Sequence, residues 1–304
     1  MKKRYRKLSD YLKERYGTRV MRIPLNAGFG CPNRVPPSKG CIYCDPTGSG
    51  FGALPSTVPI PEQIKTFKER FAMRGISKFI AYFQAHTNTF ASPEVLWERY
   101  SQVLGDDSIV AVSIATRPDC LSEEVLNVVA RLREHLDVFL EIGLQTINYK
   151  TLEIINRGHG LAEFVDASIR AKRRGLELVA HVIINLPWDD MEDVVETAKV
   201  LSALEYDGVK LHSLYIVEGT KLGDMYNSGL VRMCSMEEYV ERVVTFLEYL
   251  DPRMVIHRLV SDPPKNGVIF GNWGVPKIVI INAIEKKLEE RDTYQGRLFG
   301  YLRR

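Results

Sequence analysis

The sequence predicts an α/β fold, a partial (β/α) barrel of about six parallel strands with a metal-binding loop after the first strand. Short apolar runs of strand length alternate with helical stretches along most of the 304 residues. That alternation is the pattern of βαβ units around a sheet buried on both faces. Counting the first strand, about six or seven repeats follow one another with no low-complexity linker, more than a small doubly wound domain uses and close to a TIM-like barrel. The stretch Cys31-Pro-Asn-Arg-Val-Pro-Pro-Ser-Lys-Gly-Cys41-Ile-Tyr-Cys44 holds three of the five cysteines and follows the first expected strand directly.

Residues 1–17 read as a basic N-terminal extension, with helical spacing over 8–16. Arg19-Val-Met-Arg-Ile-Pro-Leu25 alternates apolar and polar residues like a strand entering the cysteine loop. Pro36, Pro37 and Gly40 make that loop a structured excursion, and Gly48-Ser-Gly-Phe-Gly52 after it is flexible by composition. Ile64, Phe67 and Phe71 restore helical spacing over 61–73. Further strands are expected at 78–83, 109–115, 137–144, 177–184 and 208–216. Helices between them open at Ser92-Pro93, an N-cap with proline in the first turn, at Ser122, near Leu161 and near Met191. Ser235-Met-Glu-Glu238 reads as a capping box for a helix to about Leu250. Residues 18–250 form the expected core barrel. Residues 251–304, with a last strand candidate at Met254-Val-Ile-His257, read as a C-terminal tail packing on it.

Hydrophobic residues make up 45% and charged residues 26%, ordinary for a soluble globular enzyme. No apolar run approaches the roughly 20 residues that span a bilayer, so no membrane association is expected. A formal charge of +3 is too small to argue for nucleic acid by itself. The basic start, Met-Lys-Lys-Arg-Tyr-Arg-Lys, suits a phosphate backbone or a plain solvated face. An odd cysteine count with three clustered argues against a disulfide framework and for a cytoplasmic protein with a metal site.

Thiolates ligate soft metal centres, and a C-x2-C pair presents both sulfurs to one ion or cluster. Three cysteines are one short of a closed structural zinc site. They match a four-iron cluster with one iron open to a substrate. Spacing alone leaves three readings: that open cluster, a zinc site completed by Cys120, Cys234 or a histidine, and plain thiols. In a barrel, chemistry belongs at the C-terminal strand ends. Just past the apolar runs come Gln84-Ala-His-Thr-Asn88, Thr116-Arg-Pro-Asp119, Gln145-Thr146, Asn185-Leu-Pro187, Tyr215 and Glu218. Singly each is an ordinary turn or cap; together they mark a polar site.

Several stretches resemble the radical S-adenosylmethionine (SAM) superfamily. They are Tyr43 before Cys44, Phe79-Ile-Ala-Tyr-Phe-Gln-Ala-His-Thr-Asn-Thr89, Ser113-Ile-Ala-Thr-Arg-Pro-Asp-Cys120, Glu141-Ile-Gly-Leu-Gln-Thr146, Ile155-Asn-Arg-Gly-His159 and Gly208-Val-Lys-Leu-His-Ser-Leu-Tyr-Ile216. The similarity covers roughly residues 18 to 285. The branch it resembles contains oxygen-independent coproporphyrinogen oxidase and the elongator catalytic subunit, and within it an uncharacterised bacterial group with C-x9-C-x2-C.

The resemblance implies that Cys31, Cys41 and Cys44 ligate a [4Fe–4S] cluster whose fourth iron is chelated by SAM. It implies that the Tyr43 carbonyl accepts from the adenine amino group, that Gln145 lies beside SAM, that Arg157 grips its carboxylate and that His181 meets its ribose. Gln84, or His86, is expected to reach into the same site. Reduction of the cluster would cleave SAM to methionine and a 5′-deoxyadenosyl radical that takes hydrogen from a substrate. A flavodoxin- or ferredoxin-type electron donor is implied. The expected substrate is an RNA, tRNA included, or a small anionic metabolite, entering near His86, Asn88, Arg117, His212, Tyr215 and Lys221.

The sequence departs from the superfamily pattern in three places. The usual C-x3-C-x2-C is stretched to C-x9-C-x2-C, the two glycines that approach the cofactor's amino group are replaced by Ala85 and His86, and Ala115 stands where some relatives have a ribose-binding acid. Thr116 or Arg117 is the candidate substitute for that acid. Two other classes stay open. One is a zinc-stabilised, non-catalytic binding protein; the other is a barrel aldolase or isomerase using Lys210, the one lysine inside a strand run.

Overall fold

The computed structural model describes residues 3–48 and 50–302. Met1 and Lys2 of the basic start, Ser49 of the glycine loop, and Arg303 and Arg304 of the tail lie outside the described residues. Strands β1 (Val20–Leu25), β2 (Lys78–Phe83), β3 (Ile109–Thr116), β4 (Asp137–Gln145), β5 (Glu177–Ile183) and β6 (Gly208–His212) lie side by side in chain order, all parallel. The fifth expected run, 208–216, is divided. Its end forms β7 (Ile216–Val217), half of a small antiparallel ribbon, and β8 (Val255–Arg258) then joins the sheet beside β6 as a seventh parallel strand. β9 (Val268–Phe270) completes the ribbon with β7. The sheet runs openly from β1 to β8, the curled partial barrel expected. The stretch 251–304 thus supplies a sheet strand as well as covering helix.

Helices α2 (Ile60–Ala72), α3 (Pro93–Tyr100), α4 (Glu123–Leu132), α6 (Leu161–Arg173), α7 (Met191–Ala203), α9 (Met236–Tyr249) and α10 (Lys277–Glu290) cover the outer face, while α1 (Leu8–Tyr16) lies at the N-terminal mouth and α5 (Tyr149–Ile154) and α8 (Lys221–Asn227) at the C-terminal end. Of these, α4, α5, α7, α8 and α9 start on side-chain caps of otherwise unpaired N–H groups, whereas Ser92, the expected cap of α3, makes no such bond. Ser122 Oγ accepts from the Val125 N–H at 3.3 Å, and Ser235 Oγ from the Glu238 N–H at 3.1 Å. The expected capping box at Ser235 is only half made. The Glu238 carboxylate accepts from Arg242 Nη2 at 2.7 Å, one helical turn on, instead of returning to the Ser235 N–H.

One apolar core lies between the sheet and the helices; two smaller clusters position the ends. At the N-terminal mouth, Leu12 of α1 packs with Val20, Ile80, Ala111, Phe139 and Val179, so α1 plugs the barrel from below. Arg15 holds it there through Asp137 and Glu177. The basic start therefore lies opposite the strands' C-terminal ends, with Lys7 paired to Glu285 and Arg4 to Asp292. At the C-terminal end, Ile42, Leu152, Ile155, Ile183 and Leu222 form the cluster that seats the cysteine loop. Among the described residues no helix is long and apolar enough to cross a membrane.

Candidate functional site

A cavity of about 490 Å³ opens at the C-terminal ends of the strands. Cys31, Cys41 and Cys44 line it, and so do Tyr43, Gln84, Gln145, Arg157 and His181. Residues from the loops after β1, β2 and β4 thus meet around one space, as parallel strands ending on one side require.

The cysteine loop is fastened rather than loose. Ile42 N–H donates to the Ile155 carbonyl at 3.0 Å, Asn33 Nδ2 to the Asn156 carbonyl at 2.7 Å, and Asn156 Nδ2 to the Gly40 carbonyl at 2.7 Å. Arg34 closes the other side, donating to the carbonyls of Cys44 and Asp45. Cys41 Sγ faces Asn33 Nδ2 at 3.5 Å and Arg157 Nη1 at 3.8 Å. All five cysteines are free. Burial pushes the Cys120 and Cys234 thiols up, to about 12 and about 11, and the Cys44 thiol likewise to about 11. Among the described residues, no three His, Cys, Asp or Glu side chains converge on a position for a single metal ion. That holds for Cys31, Cys41 and Cys44 as well. Three thiols lining one cavity are nevertheless the donor set that a four-iron cluster with one open iron takes.

Backbone strain marks the ligand side. Ala85 and His86 have φ of 87° and 57°, the left-handed region that favours glycine, so the glycine-like path persists where glycines are replaced. It is held by the His86 N–H on the Gly48 carbonyl at 3.1 Å and the Asn88 N–H on the Ala115 carbonyl at 3.0 Å. Gln145 is left-handed too, with φ 74°, at an irregularity in the β4–β5 ladder. Arg157 Nη2 donates to the Gly143 carbonyl at 3.0 Å, an approach only a glycine permits: a Cβ at position 143 would lie 2.6 Å from that nitrogen.

Beneath the strand ends the barrel interior is charged. Glu141, fully buried, accepts from Ser113 Oγ at 2.5 Å, His181 Nε2 at 2.6 Å and Lys210 Nζ at 2.9 Å, and pairs with Arg22 Nη2 at 3.1 Å. Lys210 Nζ also donates to Tyr82 Oη at 2.8 Å. Burial alone would raise the Glu141 carboxyl; Lys210 and Arg22 beside it hold it well below the usual range. Burial, with Glu141 opposing, brings Lys210 down to about 7. It brings His181 down to about 4 and His159 down to about 2.

These two rings stay neutral in the folded protein where the unfolded chain binds protons. Stability is therefore expected to fall as pH drops below about 6.5, through about 4 for His181 and about 2 for His159, by at most about 1.4 kcal/mol per pH unit per ring. Urea midpoints at about pH 7.5 and about pH 5.5 measure this, and equal midpoints contradict it.

His86, Arg117, His212 and Tyr215 line the cavity as expected. Asn88 and Lys221 do not. Asn88 Nδ2 is used on the carbonyls of Ala85 and Ala115, and Lys221 is exposed in the first turn of α8. Thr116 and Arg117 line the cavity beside Ala115, Thr116 bonded to Thr89 Oγ1 and Arg117 to Asp119 and the Arg157 carbonyl. Sequence reasoning missed Arg22, Glu141 and Arg258. A charge inside an apolar run, as in Phe-Leu-Glu141-Ile-Gly, was the available signal.

Residues 25–201 match the Radical SAM superfamily, and residues 206–290 match the Radical SAM C-terminal domain. The uncharacterized protein YtqA of Bacillus subtilis (strain 168) is 38% identical over 303 residues, 99% of this chain and 94% of YtqA. The tRNA uridine(34) acetyltransferase of Methanocaldococcus jannaschii is 29% identical over 166 residues, 53% of this chain and 30% of that protein. Among solved structures, the archaeal Methanocaldococcus infernus Elp3 with an N-terminal deletion superposes with a TM-score of 0.70 at 18% identity, over 91% of this chain and 64% of that one, a likeness of fold. The superfamily's cofactors are a [4Fe–4S] cluster and SAM, and its enzymes need a reductant and a substrate. By the span of that match and the full-length similarity to YtqA, this chain belongs to the radical SAM superfamily.

Proposed function

We propose that this protein is a cytoplasmic radical SAM enzyme acting on tRNA, with a [4Fe–4S] cluster held by Cys31, Cys41 and Cys44. The observation that carries the reading is the meeting of these thiols with Tyr43, Gln84, Gln145, Arg157 and His181 in one cavity. When bound, the cluster and SAM supply one-electron abstraction of hydrogen from an unactivated C–H bond.

The chain's own residues orient and enclose. Three thiolates leave one coordination position to SAM. Arg157, seated on Gly143, offers its guanidinium to the SAM carboxylate, with Gln145 and Gln84 beside it. The Tyr43 carbonyl receives the adenine amino group. His181, held through Nε2 by Glu141, presents its other nitrogen to a ribose hydroxyl. A flavodoxin- or ferredoxin-type protein supplies the electron, and free cysteines fit a reducing compartment. The tRNA substrate, with uridine 34 the first base to examine, rests on the acetyltransferase relative. The basic N-terminus lies at the opposite barrel mouth and lends it no support.

The reading is tested by anaerobic reconstitution with iron and sulfide, reduction in the presence of SAM, and incubation with tRNA. Iron content, 5′-deoxyadenosine and tRNA nucleoside masses are the readouts. One zinc per chain and intact SAM would sink the radical enzyme; deoxyadenosine without any change in tRNA would sink the substrate. Gly143→Ala is expected to displace Arg157 and weaken SAM binding about tenfold, the loss of one charge-assisted bond, while the protein still folds. Equilibrium dialysis with SAM measures it.

A further inference from the structure

The cations lining the cavity fall into two groups. Arg34, Arg117 and Arg157 belong to the cysteine side, where carbonyls, Asp119 and the thiol of Cys41 engage them. Arg22, Lys210 and Arg258 come from β1, β6 and β8. Lys210 and Arg258 are partners in the β6–β8 ladder, and Arg22 Nη2 reaches His257 Nδ1 of β8 at 2.8 Å, so the two edge strands bring this group together. Arg22 and Lys210 stand two or three residues short of their strand ends, about 7–10 Å below the barrel mouth.

One buried carboxylate, Glu141, pairs with two of these cations, Arg22 and Lys210. Arg258 has no ion pair among the described residues. Arg22 Nε and His212 Nε2 are buried without a hydrogen-bond partner. The carboxylate of Asp262, at the same cavity, is taken by Lys277 at 2.6 Å. A guanidinium such as that of Arg258, lining a cavity with no ion-pair partner, is costly to bury unless a ligand supplies acceptors.

We propose that Arg258, with Arg22 and His212 on the same side, forms a subsite at the β1, β6 and β8 side of the cavity for an anionic group of the substrate, a carboxylate or a phosphate. The proposal deepens the radical-enzyme reading and rests on it for taking this cavity as the substrate chamber. A planar guanidinium matches either anion through two parallel hydrogen bonds. Charge on that side fixes one end of the substrate, which sets the carbon presented to the reacting centre. It also discriminates against neutral analogues, which would leave Arg258 without an acceptor.

The test is thermal unfolding of the reconstituted protein, kept anaerobic with saturating SAM so that the cofactor's own carboxylate site is filled. Sodium phosphate or sodium acetate replaces sodium chloride at constant ionic strength. One of the two anions is expected to raise Tm by about 2–4 °C in the wild type, and Arg258→Gln to abolish the rise while Arg258→Lys keeps part of it. A larger response to acetate assigns a carboxylate, a larger response to phosphate a phosphate. No rise in the wild type, or an equal rise in Arg258→Gln, overturns the subsite. If Arg258→Gln shows no cooperative transition, His212→Asn takes its place with the same two outcomes. Binding needs no turnover, so the two readings fail separately. An anion response without deoxyadenosine release would spare the subsite and sink the radical chemistry; the reverse pattern would do the opposite.

Discussion

Replacement of Cys41 by alanine is expected to reduce iron from about four per chain to well under one, and deoxyadenosine release by at least about a hundredfold. Asn33 and Arg157 both direct N–H groups at this sulfur, so removing it takes away one of the three proposed cluster ligands and leaves those donors facing a void. The loop itself should survive. Its fastenings run through Ile42, Asn33 and Asn156, and Ile42 stays buried against Ile155 and Leu222. A folded protein without iron is therefore the expected result, checked by circular dichroism alongside iron and sulfide assays. Cys234→Ala is the control. That thiol is remote in the chain and packs against the main core, and its loss should leave iron unchanged. Full iron retention in Cys41→Ala would remove this cysteine from the site.

Glu141→Gln is expected to destabilise the fold by about 3–5 kcal/mol, the size of effect seen when one member of a buried charge cluster is removed. The substitution keeps the volume but takes the countercharge from Arg22 and Lys210, which pair with no second carboxylate among the described residues. His181 loses its anionic acceptor at the same time. On the usual scale this lowers Tm by about 6–15 °C, read by calorimetry. Glu177→Gln is the contrast: its pair with Arg15 is partly exposed at the other barrel mouth, and a change below about 1 kcal/mol is expected. Similar losses from both variants would mean that the buried cluster has no special part in holding the barrel together.

Parallel strands buried on both faces are continuous apolar runs, so β2 to β6 stood out in the sequence, and serine caps marked α4 and α9. The short helices α5 and α8 span under two turns, too few for a period to register. In α10, Ile280, Ile284 and Leu288 form a buried stripe at four-residue spacing, but Ile278 and Val279 beside them are exposed and blur it. The divided run at 208–216 shows the opposite case. Apolar Leu214 and Ile216 continue the pattern, yet the chain leaves the sheet after His212 to build the ribbon over the second cluster.

The sequence by itself determined the order of elements, the cysteine loop after β1 and the set of polar residues past each strand, because these depend on local pattern and on ligand chemistry. Only the tertiary structure decided which charges share a space. Arg22, Glu141, Lys210 and Arg258 are far apart in the chain, and whether a strand residue faces the barrel interior depends on how seven strands curl around it. The left-handed backbone at Ala85, His86 and Gln145 was decided there too, since bonds to the cysteine loop and to neighbouring strands, rather than the residues' own preferences, hold it.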